Sequence, residues 1–149
     1  MLPSPSPLTP PLMPSGINYL AVLVTAIVIF MLGGLWYSKA LFANRWMALQ
    51  GKTMAEIEAS GAKPSAIMFV QVFVCGLIIA YVVAVIENHF VNLTVMRGAM
   101  IGILLWLVAG ATSYATALFS YERRALWMIN SGYNLVSMVL AGIVLAVWR

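Results

Sequence analysis

Residues 65–86 read SAIMFVQVFVCGLIIAYVVAVI, a largely apolar run without a charged side chain. An α-helix rises 1.5 Å per residue and needs about 20 residues to cross roughly 30 Å of hydrocarbon. The run therefore has the length of a membrane span. Working outward, three more uncharged runs of similar length cover about 17–37, 98–119 and 125–148. Periodicity alone does not separate a buried soluble helix from a span, but four such runs in one short chain do.

Composition agrees. The 149 residues are 63% hydrophobic and 8% charged, against about 25% charged in an average soluble domain. A soluble domain of this size still has to cover its outer surface with polar groups, so lipid is the solvent that fits. The reading is an all-α, four-helix transmembrane bundle over 17–149, preceded by a Pro/Ser-rich disordered tail over 1–16. That tail lacks the basic n-region of a secretory signal, because the first lysine is Lys39, beyond the first span.

The long connection from Ser38 to Lys63 is polar. Thr53 and Glu56 have the Thr-x-x-Glu spacing of a capping box, in which each side chain satisfies an amide at a helix start. Gly61 supplies a stop. One or two turns of interfacial helix are expected between them, and Pro64 suits the first turn of the second span.

With four spans, the basic residues sort by side. Lys39, Arg45, Lys52, Lys63, Arg123 and Arg124 fall in the first and third loops, leaving Arg97 and Arg149 on the opposite side. Cytoplasmic loops hold an excess of Lys and Arg, so the sequence predicts a plasma or bacterial inner membrane location with both termini outside. The Asn92-Leu93-Thr94 sequon falls on that outer side. The basic residues do not form a single stripe, which argues against a nucleic-acid partner.

Helices in a bilayer associate through small residues and interhelical hydrogen bonds. Gly98, Gly102, Ala109, Thr112 and Thr116 share one face of the third span, with Gly98 to Gly102 a GxxxG match. Asn130, Asn134, Ser137 and Ala141 form a stripe on the fourth span with Tyr133 beside it, and the third and fourth spans are expected to pack through these faces. Asn18, Ala21 and Thr25 mark a weaker face on the first span. The second carries Gln71 and Cys75 on one side and Gly76, Ala80 and Ala84 on the other. Gln71, Thr112, Thr116, Asn130, Tyr133 and Asn134 are thus candidates for interhelical bonding or for a polar pathway.

The inventory of ionisable groups is poor. The one histidine, His89, falls with Glu87 in a short outer loop, and two residues so spaced do not build a metal site without further ligands. One cysteine, Cys75, excludes an intrachain disulfide and a multi-cysteine cluster. Proton-coupled transport normally uses an ionisable group within the membrane, and none falls inside these spans. No catalytic residue, metal or cofactor is assigned.

Gly33, Gly34, Leu35, Trp36, Tyr37 and Ser38, followed by Leu41, Phe42 and Trp46, form an aromatic cluster at the end of the first span. Together with Asn130, Gly132 and Tyr133 in the fourth span, it resembles the uncharacterised four-span membrane family DUF1761, from about Asn18 to Trp148. The resemblance implies four spans with a longer first loop, and a histidine where this chain has Asn134. It implies no activity. Trp36, Tyr37 and Trp46 fit an inner-leaflet aromatic belt interleaved with Lys39 and Arg45, or the walls of a headgroup or ligand pocket. The functional expectation is a non-enzymatic packing or accessory subunit of a larger membrane assembly or homo-oligomer. The alternative is a small-solute permease or channel subunit, and an enzyme acting on lipid ranks last.

Overall fold

The computed structural model describes residues 16–59 and 65–148. The expectations placed on the tail to residue 15, on Gly61, Lys63 and Pro64, and on Arg149 lie outside the described residues. Among the described residues six helices follow one another: α1 (Tyr19–Trp36), α2 (Ala43–Leu49), α3 (Met54–Ala59), α4 (Ala66–Asn88), α5 (Val95–Phe119) and α6 (Arg124–Val147). Four of them, α1, α4, α5 and α6, are long and apolar enough to cross a membrane, and no strand occurs among the described residues.

Three of the four long helices are capped by a side chain at their start. Asn18 Oδ1 accepts the Ala21 amide at 3.0 Å, Ser65 Oγ that of Met68 at 3.3 Å, and Thr94 Oγ1 that of Arg97 at 3.3 Å. These are side-chain N-caps that satisfy amides with no intrahelical acceptor. The capping box is complete in both directions: Glu56 N donates to Thr53 Oγ1 at 3.2 Å and Thr53 N to Glu56 Oε2 at 2.8 Å. The bonds from Thr53 hold the Glu56 carboxyl below its ordinary value.

Termination of α5 is less comfortable. Tyr121 adopts φ 54°, the left-handed region that costs a residue with a Cβ about 1–2 kcal/mol. It is 94% exposed, so its ring does not hold it there. The conformation lets Glu122 N reach Ala117 O at 3.0 Å, which caps the last turn. Tyr121→Gly is expected to raise stability by about 1 kcal/mol, read as a higher unfolding midpoint in detergent.

The long helices keep large apolar side chains on their outsides. Ile67, Val70, Val108 and Met128 are each more than three-fifths exposed, which suits contact with lipid. The core is made of smaller groups: Ala21, Val22, Ile29, Ala80, Val83, Ala84, Ala141 and Leu145 meet where α1, α4 and α6 pack together. Helix α6 is the hub. It touches α1 and α4 on one side and α5 along most of its length on another, whereas α5 reaches α4 only lightly.

The α5–α6 contact is a close backbone approach. A Cβ at Gly98 would run into Gly142 O, one at Gly142 into Gly98 O, and one at Gly102 into Met138 O. So α5 and α6 do pack together, but α6 offers Met138 and Gly142. The Asn130, Asn134, Ser137, Ala141 stripe does not make this contact. Ala141 belongs to the cluster with α1 and α4, because α6 at the centre of the bundle needs two packing faces.

Three boundaries differ from the sequence reading. Helix α2 is an additional helix in the first loop. Helix α4 continues through Glu87 to Asn88, and α5 begins at Val95, three residues before Gly98. Glu87 is therefore not in a polar loop. It is 2% exposed in the last turn of α4, beside a space of about 30 Å³ whose lining includes Asn18, Asn88 and Trp148. The expectation of helices free of ionisable groups fails at this end, because the Thr94 cap and the two added residues of α4 draw Arg97 and Glu87 into helical backbone.

Candidate functional site

The aromatic cluster after α1 and the asparagine stripe of α6 lie against one another. The chain leaves α1 through a tight turn, with Phe42 N bonding Trp36 O and Ala43 N bonding Ser38 O, both at 3.1 Å. This turn brings α2 back beneath the end of α1 and against α6. Trp46, on α2, donates Nε1–H to Asn130 Oδ1 at 3.0 Å, and the Tyr37 hydroxyl donates to the same oxygen at 3.0 Å. A carbonyl oxygen has two lone pairs, and here both find a donor. Trp36 Nε1 donates to Ile129 O at 3.1 Å, while the Tyr133 hydroxyl reaches Ile29 O at 3.3 Å.

The rings pack on one another. Centroids are 4.8 Å apart for Trp36 and Phe42, 5.7 Å for Tyr37 and Trp46, and 5.7 Å for Tyr37 and Tyr133, within the spacing at which aromatic pairs attract. Gly33 and Gly132 admit this packing: a Cβ on them would stand 3.2 Å from the Tyr133 hydroxyl and 3.2 Å from Trp36 Cζ2 respectively. Trp36, Tyr37 and Trp46 thus turn their polar atoms toward α6.

A second polar feature lies along α6. One groove of about 350 Å³ runs beside α4, its lining including Gln71, Cys75, Tyr133 and Asn134. Another of about 360 Å³ runs beside α5, its lining including Ser113, Thr116, Asn130 and Asn134. Asn134 borders both, so the two grooves flank one side chain of α6 and together make up the cleft between α4 and α5. Gln71 and Asn134 have no side-chain hydrogen-bond partner among the described residues. Gln71 lies five residues into α4 and Asn134 ten residues into α6, at depths of roughly 8 Å and 15 Å along their axes.

Of the other residues singled out in the sequence, Gly98 and Gly102 lie at the α5–α6 contact and Ala109 is partly buried. Thr112 and Thr116 are exposed, and their hydroxyls return to their own helix: Thr112 Oγ1 lies 3.0 Å from Ala109 O, and Thr116 Oγ1 lies 3.2 Å from Thr112 O. A threonine satisfied this way needs no neighbouring helix. The contact line on α5 passes instead through Gly110 and Ala117, both buried. Next to it Trp106 Nε1 donates to Ser131 O at 2.9 Å and Ser131 Oγ at 3.0 Å, and Trp127 Nε1 donates to Ser113 Oγ at 3.1 Å. Sequence reading passed over these two indole bonds, although tryptophan in a span is a signal by itself, since its N–H seeks an acceptor when buried.

Among the described residues no group of three His, Cys, Asp or Glu side chains could hold a metal ion. The site is a set of amides, hydroxyls and indoles on a tightly joined helical frame, with Glu122 at the edge of its α5 side. No curated protein and no solved structure matches the chain. The model of one family matches residues 20–146, nearly the whole described chain, and the protein accordingly belongs to DUF1761, a family described as protein of unknown function.

Proposed function

We propose that this protein is a non-enzymatic helical subunit, of a homo-oligomer or of a larger membrane assembly, that receives another transmembrane helix in the cleft between α4 and α5. One observation carries the reading: the side-chain amides of Gln71 and Asn134 border that cleft without partners. An amide in hydrocarbon without a hydrogen bond costs several kcal/mol by transfer from water, roughly 4–8 on an alkane scale. A neighbouring helix that bonds these amides removes the cost. The first ten residues of α4 support the same reading, since most of them face outward.

In this reading both termini lie outside and the basic loops face the cytoplasm, supported by the six-to-two distribution of Lys and Arg. A cysteine introduced by Ser60→Cys in a Cys75→Ala background should resist an impermeant thiol reagent applied to intact cells. Rapid labelling from outside would reverse the orientation.

The deciding experiment is native mass spectrometry of the protein taken from its own membrane in a mild detergent. A stoichiometric foreign subunit or a defined self-oligomer is expected, and Asn134→Leu with Gln71→Leu should weaken it. A chain that remains monomeric in nanodiscs would sink the subunit reading. The second reading, a small-solute permease, draws on the same continuous row of Gln71, Asn134, Asn130 and Thr116. It requires that vesicle flux fall in Asn134→Leu while the protein stays folded.

A further inference from the structure

On the side of α6 that carries Trp36, away from the α4–α5 cleft, the structure holds a third groove of about 340 Å³. Its size falls within the roughly 300–1,000 Å³ of small-molecule sites. Trp36 and Phe42 form one wall. Ala125, Met128 and Ile129 form the other, a single helical face at spacings of three and four residues. Gly132 closes the membrane-deep end, where the lack of a side chain lets the Trp36 ring lie close to α6. The groove spans the first two turns of α6, roughly 10 Å of helix, so its open side lies near the headgroup end of one leaflet. Met128 in its wall is 66% exposed.

Apolar walls alone would accept any acyl chain. The charge at the mouth selects. Among the described residues Arg45, on α2, is the one charged side chain lining the groove. Arg123 and Arg124 open α6, and neither α2 nor α6 has an acidic residue in its first turn. The nearest carboxylate in sequence, Glu122, borders the cleft on the α5 side instead. Guanidinium groups favour phosphate oxygens through paired, charge-assisted hydrogen bonds.

We propose that this groove is a binding site for an anionic phospholipid, with one acyl chain between Trp36 and Met128 and the phosphate on Arg45. The site is independent of the subunit reading, since it uses a different face of α6. It also gives the aromatic turn after α1 a second consequence. By folding α2 back under the bundle, the turn carries Arg45 to the mouth of the groove that Trp36 and Phe42 line.

The test uses the full chain, delipidated in a mild detergent and exposed to equimolar phosphatidylglycerol and phosphatidylcholine, with bound lipid counted by native mass spectrometry. Wild-type protein is expected to keep phosphatidylglycerol under activation that strips phosphatidylcholine. Arg45→Gln should reduce that retention at least fivefold, to the phosphatidylcholine level. Ala125→Phe, which fills the groove and leaves every charge in place, should do the same. Equal retention of the two lipids by the wild type, or an undiminished preference in either folded variant, would overturn the assignment. If Ala125→Phe fails to fold, Arg45→Gln decides by itself, because Arg45 is exposed and its loss leaves no cavity. A protein dimer that forms without phosphatidylglycerol and is abolished by Arg45→Gln would place a second copy in the groove and equally overturn the lipid site.

Discussion

Gly142→Leu should separate α5 from α6 and destabilise the bundle by about 3 kcal/mol or more, at or beyond the upper end of what overpacking a well-filled site costs. The reason is what a side chain would meet. A Cβ at Gly142 overlaps Gly98 O and stands 2.6 Å from Gly98 C, both of them backbone atoms. Backbone in the middle of a helix does not yield by a rotamer change. The only relief is an increase in interhelical distance, which breaks the contacts around the crossing, including the 2.9 Å bond from Trp106 to Ser131 O. Gly102→Leu should behave similarly, because its Cβ would lie 2.6 Å from Met138 C and 2.7 Å from Val139 Cα.

Gly34→Ala is the control. A Cβ there meets nothing within 4 Å, so alanine should stabilise α1 by up to about 1 kcal/mol through helix propensity. Unfolding in mixed micelles, followed by circular dichroism, ranks the three variants. A Gly142→Leu protein as stable as wild type would show that the backbones do not approach as described.

The second large effect is expected at Asn130. Asn130→Leu leaves the Tyr37 hydroxyl and the Trp46 indole N–H without their shared acceptor. Each lost membrane hydrogen bond is worth about 0.5–2 kcal/mol, so a total loss of about 1–4 kcal/mol is expected for the two, the lower half applying if lipid headgroups or water reach the orphaned donors. Tyr37→Phe in the wild type should cost about 1 kcal/mol. In the Asn130→Leu background it should cost almost nothing, because the acceptor is already gone. A double-mutant cycle between the two positions measures this coupling directly. Additive costs would mean that the hydroxyl and the amide do not bond. Loss of Asn130 should also loosen α2, which is tied to α6 through Trp46, and raise the protease sensitivity of the loop after Leu49.

These two sites illustrate different relations between sequence and structure. Gly98 and Gly102 were recognisable as a contact face because small residues four apart on an apolar helix have few other uses. Their partner was not. Nothing in the spacing of Met138 and Gly142 distinguishes them from the Ser137 and Ala141 pair one position earlier, and only the placement of α6 between α5 and the α1–α4 pair assigns each pair to its neighbour. Likewise Trp36, Tyr37 and Trp46 stood out as an aromatic cluster, and Asn130 as a polar residue in need of a bond. That these are one feature depends on the turn from Ser38 to Ala43, whose hydrogen bonds direct α2 back toward α6.

Glu87 shows the reverse case. Its position between an apolar run and His89 suggested an exposed loop, yet α4 runs two residues further and Glu87 is buried almost completely. Helix ends are set by caps and by packing as much as by composition, and a two-residue difference at a boundary is enough to exchange solvent for core.

By itself the sequence determined that this chain makes four helices long and apolar enough to cross a membrane, and that a capping box starts the loop helix at Thr53. Those properties follow from local quantities: the length of an uncharged run, and a side-chain oxygen within reach of the next free amides. Only the tertiary structure decided that α6 is the hub, that Asn130 ties the first loop to it, and that Asn134 and Gln71 border a common cleft. Such relations depend on which of several chemically equivalent faces meet. In a bilayer, where apolar surface gains little from pairing, close backbone fit and a few hydrogen bonds make that choice, and both are properties of helices already in contact.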